Sequence, residues 1–459
     1  MATCGAAQLN ERVEDMKINM VYASQAGARM DSSVLTGGGA DDTVILQKIL
    51  DTAPAHGGLH LVIDGACRIS APLRIHSNTS IVFPNSACGL FLTAGSNCCM
   101  LRNANWSAKG SIQDENISIC GGTFNHHAAG QVHHIDEARS AREGRVTNWV
   151  IPLEFHGVRN LRISGATIRN QRTFGALFSN WVQVHVEQVQ IIRDQRDDHE
   201  NQDGLHFFGP GRFLTVRDIS GNSGDDFLAL APDELDLESS IEDVLIDGVM
   251  LDGADQGIRL LCRAQGRLDR VIIRNVMGTY RSYGFYINPW FESAGGSYGN
   301  IVLENIDLRP LKNNYDYRPP VLFSLGGRIE SISFRNIYHH GAGDGRRLFQ
   351  VGGSYNLDRA ESAKEPTHID RLVIDGLYIY EAAERSMQDV YIHVRSHVEQ
   401  MLLNNISLYR KQGLPVHGTL VGGDQNAKID LLSIQGLQAD TLKEICSLSD
   451  EQVGQLRKV

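Results

Sequence analysis

The chain has 459 residues, 42% of them apolar and 21% charged, which is enough to bury a large core and too apolar for disorder. A formal net charge of −11 argues against nucleic acid or an anionic membrane as the main partner, because phosphates repel such a surface. No stretch approaches the ~20 apolar residues of a membrane span, and Met1–Met20 has no basic segment leading into an apolar run.

The expected location is therefore the cytoplasm, with a mature secreted form left open. The eight cysteines include no CxxC pair and read as free thiols in a reducing compartment. Glycine is frequent, at 46 residues, and proline scarce, at 12, which suits many tight turns.

In chain order, residues 1–34 read as an N-terminal extension. Thr43 to Thr52, opened by Asp41 and Asp42, reads as a short amphipathic helix with an acidic start, an N-terminal cap. Residues 35–437 form one domain. A pattern recurs along it: apolar, any, apolar, any, then mostly Asn, Asp or Gly. Copies end at Gly121, Gly165, Gln188, Asp218, Gly248, Asn275, Asn305, Asn336, Gly376 and Asn405, and a last one near Gly436.

From Gly165 the steps are 23, 30, 30, 27, 30, 31, 40, 29 and 31 residues. Each copy is a period-two strand stopping at a residue that tolerates a turn conformation. Helical repeats need apolar spacings of three and four, and a propeller repeats at ~40 to 45 residues. The remaining solution is an all-β solenoid, a single-stranded right-handed parallel β-helix with one coil per repeat.

The stretch 126–149 breaks the rhythm and reads as an inserted His-rich loop over one end of a cleft. His126, His127, His133 and His134 have no carboxylate or Cys at a convincing ligand spacing, so they read as solvated histidines and no metal is expected. Arg139, Arg142 and Arg145 alternate with Glu137 and Glu143 and read as a solvated face. Residues 438–459 read as a C-terminal tail, helical over Asp440 to Leu456.

A second strand family lies between the copies, beginning with Leu205–Phe208, Phe227–Leu230, Ile258–Leu261 and Phe285–Ile287. Aligned on the first apolar residue, the positions two before it are Asp203, Asp225, Gln256 and Tyr283. Adjacent rungs of a sheet lie ~4.8 Å apart. Asp203 and Asp225 then become neighbours, with Asp226 beside them. Three such carboxylates repel one another and raise at least one pKa, the arrangement that acid/base cleavage of a glycoside requires. Turn-capping aspartates are the bland alternative. By alternation His206, Arg259 and Tyr286 share the outward face with Asp226, and Phe208, Leu261 and Asn288 come two residues later. Trp290 and Phe291 are next, as aromatics suited to stacking on sugars.

These residues resemble a known family. Asn201–Gly204 is similar to the Asn-Thr-Asp-Gly motif of polygalacturonase-type glycoside hydrolases, and Gly224–Ala229 to their Gly-Asp-Asp motif. Gly257–Arg259 resembles their Gly-(Val/Ile)-Arg-Ile-Lys motif, and Gly39–Thr43 and Ile69–Leu73 their opening segment. The likeness covers roughly residues 35 to 340. It implies a pectin-lyase-like β-helix and inverting hydrolysis, with Asp225 as general acid and Asp203 and Asp226 positioning water. The family's Gly-His-Gly segment is missing, with Gln256, His206 or His199 as stand-ins. Leu261 replaces its lysine, so Arg259 is left as the cation and a galacturonan substrate is in doubt.

The expectation is a glycosidase, exo-acting on imported oligosaccharides, with no cofactor. Asp203, Asp225 and Asp226 are its catalytic residues, and His206, Gln256, Arg259, Tyr286, Phe208, Trp290 and Asn201 contact the sugar. Its partner is a carbohydrate, and its oligomeric state is open, a homo-oligomer included. Two other readings share the scaffold. One is a polysaccharide lyase, uronate epimerase or intramolecular glycosyltransferase, with Arg259, His206 or Tyr286 as base and aspartate-bound calcium. The other is a non-catalytic carbohydrate-binding solenoid.

Overall fold

The computed structural model describes residues 20–195, 201–289, 296–311, 320–341, 347–352, 367–381, 390–413, 418–439 and 442–458. Trp290, Phe291 and His199 lie outside them. The chain winds into a right-handed parallel β-helix in which each strand pairs with its counterparts one coil before and one coil after. Among the described residues every ladder between strands is parallel.

Each coil contributes to three stacked sheets. The repeat strands form one, with Leu161, Val184, Leu214, Val244, Val271, Ile301, Ile332, Leu372 and Met401 in one buried row. The second strand family forms another, with Leu205, Leu228, Ile258, Phe285, Phe323 and Phe349 stacked inward. Short strands such as Thr167–Arg169 and Gln190–Ile192 form the third.

The corner after each repeat strand explains its terminal residue. Gly121, Gly165, Gln188, Asp218, Gly248, Asn275, Asn305, Asn336, Gly376, Asn405 and Gly436 all have φ between 52° and 83°, the left-handed region that Gly and Asn tolerate best. Several of these corners are bonded coil to coil. Asn336 Nδ2 donates to Asn305 Oδ1 at 3.1 Å, Asn305 Nδ2 to Asn275 Oδ1 at 3.0 Å, and Asn275 Nδ2 to Asp247 Oδ1 at 2.6 Å.

The N-terminal helix spans Thr43–Leu50 and buries Leu46, Ile49 and Leu50 over the first coils, covering a sheet end that would otherwise be free to pair. Strand pairing runs beyond 35–437 at both ends. Met20–Tyr22 pairs with His60–Val62. The helical reading of Asp440 to Leu456 is overturned: Glu444–Cys446 and Val453–Lys458 are strands, paired with Thr419–Val421 and Ile429–Ile434. The open edge of the last full coil offers backbone partners that outweigh the segment's helical pattern.

The insertion also differs from a solvated loop. It carries a short helix, Glu137–Arg142, and Trp149 folds back to bridge His134. His126 is fully buried, accepting Arg172 N–H at Nδ1 (3.1 Å) and bonding Cys98 O through Nε2 (3.1 Å). Burial pushes its pKa down to about 3, so it is a neutral structural group. Arg145 is buried as well, paired with Glu154 at 2.9 Å and bonded to Trp149 O.

Candidate active site

Leu205 pairs with Leu228, and Asp226 with Gln256, which pairs in turn with Tyr283. The Gly204 N–H donates to Asp226 O at 2.8 Å. Asp203 is therefore set against Asp226, one residue away from the expected pairing with Asp225. The slip has a simple cause. Phe227 is not the strand anchor but the occupant of a row otherwise held by Gly175, Gly204, Gly257 and Gly284, and its ring is fully buried. Asp225 consequently falls beside Asp255.

The three aspartates still converge. Asp203 and Asp226 are buried, while Asp225 is partly exposed. Asp225 Oδ1 accepts from Gln256 Nε2 at 2.9 Å and its Oδ2 from the Asn201 backbone N–H at 3.3 Å. Asn201 thus serves through its main chain, and Gln256 as a positioning donor. Asp203 Oδ2 lies 2.7 Å from His206 Nδ1, and His206 Nε2 lies 3.2 Å from Glu234 Oε2. The other oxygens of Asp203 and Asp226, both Oδ1, are buried without a hydrogen-bond partner among the described residues.

Burial sets the electrostatics, and mutual repulsion adds to it. Loss of solvent and the nearby Asp255 push Asp225 up to about 6. Asp203 rises to about 7, again chiefly by burial, although its bond to His206 opposes the rise. Asp226 is driven well above the carboxylate range by burial and by Asp225 and Asp203. Burial works against a charge on His206, but its bonds to Asp203 and Glu234 outweigh that and raise it to about 10. The result is an imidazolium between two carboxylates, next to a pair of acids that cannot both ionise cheaply.

Around this cluster lies a shell of aromatic and basic groups. Phe174 stacks on His206 with centroids 4.2 Å apart, and Trp149 meets Phe174 edge-on at 4.7 Å. Phe208 faces outward as expected but is 1% exposed, covered by Phe174, Leu177, Leu261, Trp149 and Leu235. It packs against His206 at 4.9 Å and is not a platform for sugar. Arg259 and Tyr286 are also buried: the guanidinium lies 3.7 Å from the Tyr286 ring centre and donates to Tyr286 O at 3.2 Å. The Arg259 guanidinium acts on Asp225 and Asp226 from a buried position, lowering the pKa of each against the effect of burial.

Two contributors escaped the sequence. Glu234 sits in a turn with no strand period, and no local signal marks it. Asp255 was legible, since a register one residue later aligns it with Asp225. Among the described residues no cation-holding group includes the three aspartates. His368, Asp370 and Glu399 do bring ligand atoms within 4.8 Å of one another, on the repeat-strand face of later coils, where Asp370 and Glu399 are exposed.

No protein-family model and no curated sequence matches the chain. Solved structures do. The chain is similar to the family 28 exopolygalacturonase of Yersinia enterocolitica, with 13% identity and a TM-score of 0.54 over 96% of this chain and 78% of that one. It is also similar to the N-terminal fragment of bacteriophage Phi29 gene product 12, at 12% identity and a TM-score of 0.53, over 96% and 74%. At such identities the likeness is one of fold. Among the described residues no helix is long and apolar enough to cross a membrane.

Proposed function

We propose that the chain is a glycoside hydrolase in which Asp225 protonates the leaving oxygen while Asp203 and Asp226 hold and activate water, with inversion. The observation carrying this reading is the gathering of three carboxyl groups, all with raised pKa values, at adjacent strand mouths. Asp225 suits the acid role. It is the most exposed of the three, which lets it reach a leaving oxygen, and its raised pKa of about 6 lets it carry a proton in mildly acid solution. The bond from the His206 imidazolium favours the ionised form of Asp203 against the burial that raises it. Glycosidase chemistry needs this division of labour between acid and base.

The lyase and epimerase readings need a free base. Arg259 and Tyr286 are buried against each other and His206 is locked between two carboxylates, so none of them fits that task. The insertion reaches the cluster through Trp149, which meets Phe174 beside His206, and this supports exo action on short oligosaccharides.

The test is a panel of oligosaccharides with product analysis, comparing the unmodified chain with Asp225→Asn. Hydrolysis gives a new reducing end, survives chelation and falls by roughly 10²–10⁴ in the variant. An unsaturated product, or equal activity in the variant, would sink the reading. Equal activity with Asp203→Asn as well would leave a binding solenoid.

A further inference from the structure

A pocket lies where the insertion meets the early coils. It is a cavity of about 260 Å³, lined by Ser70, Ser96, Arg102, Arg139, Glu143 and Arg145 among others, a size that suits one small group and not a long glycan. Arg102 stands on the outward row of the groove sheet, in register with Glu154, Leu177 and then His206. Three rungs therefore separate it from the His206 rung, on the order of 14 Å at ~4.8 Å each. Between them Ile151, Phe174 and Leu177 are fully buried beside Trp149, so the pocket is walled off from the aspartates.

Its charges do not cancel. Arg139 is bound to Glu143 at 2.7 Å and to the carbonyls of Ser96 and Asn97. Arg145 is shared among Glu154 at 2.9 Å, Glu143 at 3.8 Å and the carbonyls of Thr147 and Trp149. Three guanidinium groups thus face two carboxylates. The third, Arg102, has its Nε buried without a hydrogen-bond partner among the described residues. A buried guanidinium N–H without an acceptor is costly, and an oxyanion is the partner its fork fits best. The hydroxyl of Ser96 adds a neutral donor, whereas that of Ser70 is committed to the carboxylate of Asp41. In a chain of net charge −11, a small basic pocket is not a by-product of overall composition.

We propose that this pocket binds a small oxyanion group, a sulfate or phosphate ion or the carboxylate of an acidic sugar, between Arg102 on the coil and Arg139 and Arg145 on the insertion. Because both sides contribute donors, the ligand fastens the insertion to the coils. The site stands independently of the hydrolase assignment.

Calorimetric titration of the full chain with sodium sulfate, and separately with glucuronate, at constant ionic strength tests it. Binding at millimolar concentration is expected for at least one probe, weakened at least about tenfold in Arg102→Ala. Glu143→Gln removes the competing carboxylate and is expected to tighten binding severalfold, a gain that a misfolded variant would not give. Preference for glucuronate over sulfate identifies a sugar acid as the source, and the reverse a free ion. Absence of binding by both probes, or equal binding in Arg102→Ala, overturns the site.

Discussion

His206 is held by Asp203 at Nδ1 and by Glu234 at Nε2, so both ring nitrogens face carboxylates, at 2.7 and 3.2 Å. This fixes the imidazolium against the burial that disfavours it. Replacing it by Gln leaves Asp203 without its cation, and the carboxyl becomes harder to ionise. In His206→Gln the acidic limb of kcat/KM is expected to move to higher pH, with kcat reduced by roughly 10²-fold. A pH–rate profile checks it, and an unmoved limb would remove Asp203 from the base role.

The acid cluster also governs stability. Asp203 and Asp225 rise from 3.8 to about 7 and about 6, so between pH 4 and 7 the folded chain holds protons that the unfolded chain has released. Stability therefore falls as pH rises through that window, by at most about 1.4 kcal/mol per pH step of one for each proton retained. Asp226→Asn is expected to be more heat-stable than the parent at pH 7, with little difference at pH 4. Melting curves at the two values decide this, and a variant less stable at both would contradict the repulsion described.

His206 works in the same direction at alkaline pH. Its pKa rises from 6.5 to about 10, so its proton stabilises the fold fully below pH 6.5 and progressively less up to about 10. Denaturant titrations from pH 7 to 10 should show a decline that is flatter in His206→Gln.

Phe174 couples the insertion to the site, touching His206 on one side and Trp149 on the other. Phe174→Ala should cost about 3–5 kcal/mol of stability. Activity should fall more than with a buried aromatic remote from the acids, such as Phe323→Ala. Chemical denaturation and initial rates on the same samples compare the two.

The corner ladder gives a prediction about the scaffold alone. Asn305 has φ of 56° and is bonded to both Asn275 and Asn336. Asn305→Ala should cost about 1–2 kcal/mol from the left-handed backbone. Asn305→Gly removes the same bonds without that strain and should cost less. The unfolding midpoints of the two variants in denaturant rank them.

The scaffold was legible because its two signals are local. Alternation fixes which side chains point inward, and a Gly, Asn or Asp at the end of most repeats marks the corner. The site was legible to within one residue. A single Phe in a glycine row moved the alignment, exchanging Asp225 for Asp226 as the partner of Asp203. What covers the outward residues was not legible, since the roof over Phe208 is built from Trp149 and Leu235, far away in sequence. Alternation also says nothing of Glu234, whose turn has no period, and charge alternation in the insertion hid the burial of Arg145.

Coils in such a stack touch only their immediate neighbours. The acids come from successive coils in the middle of the chain, many turns from the helix at one end and from Val453–Lys458 at the other. Fraying on heating would begin at the termini and reach them late. Loss of catalysis would then report the melting of the central turns, while spectroscopic change would set in at a lower temperature.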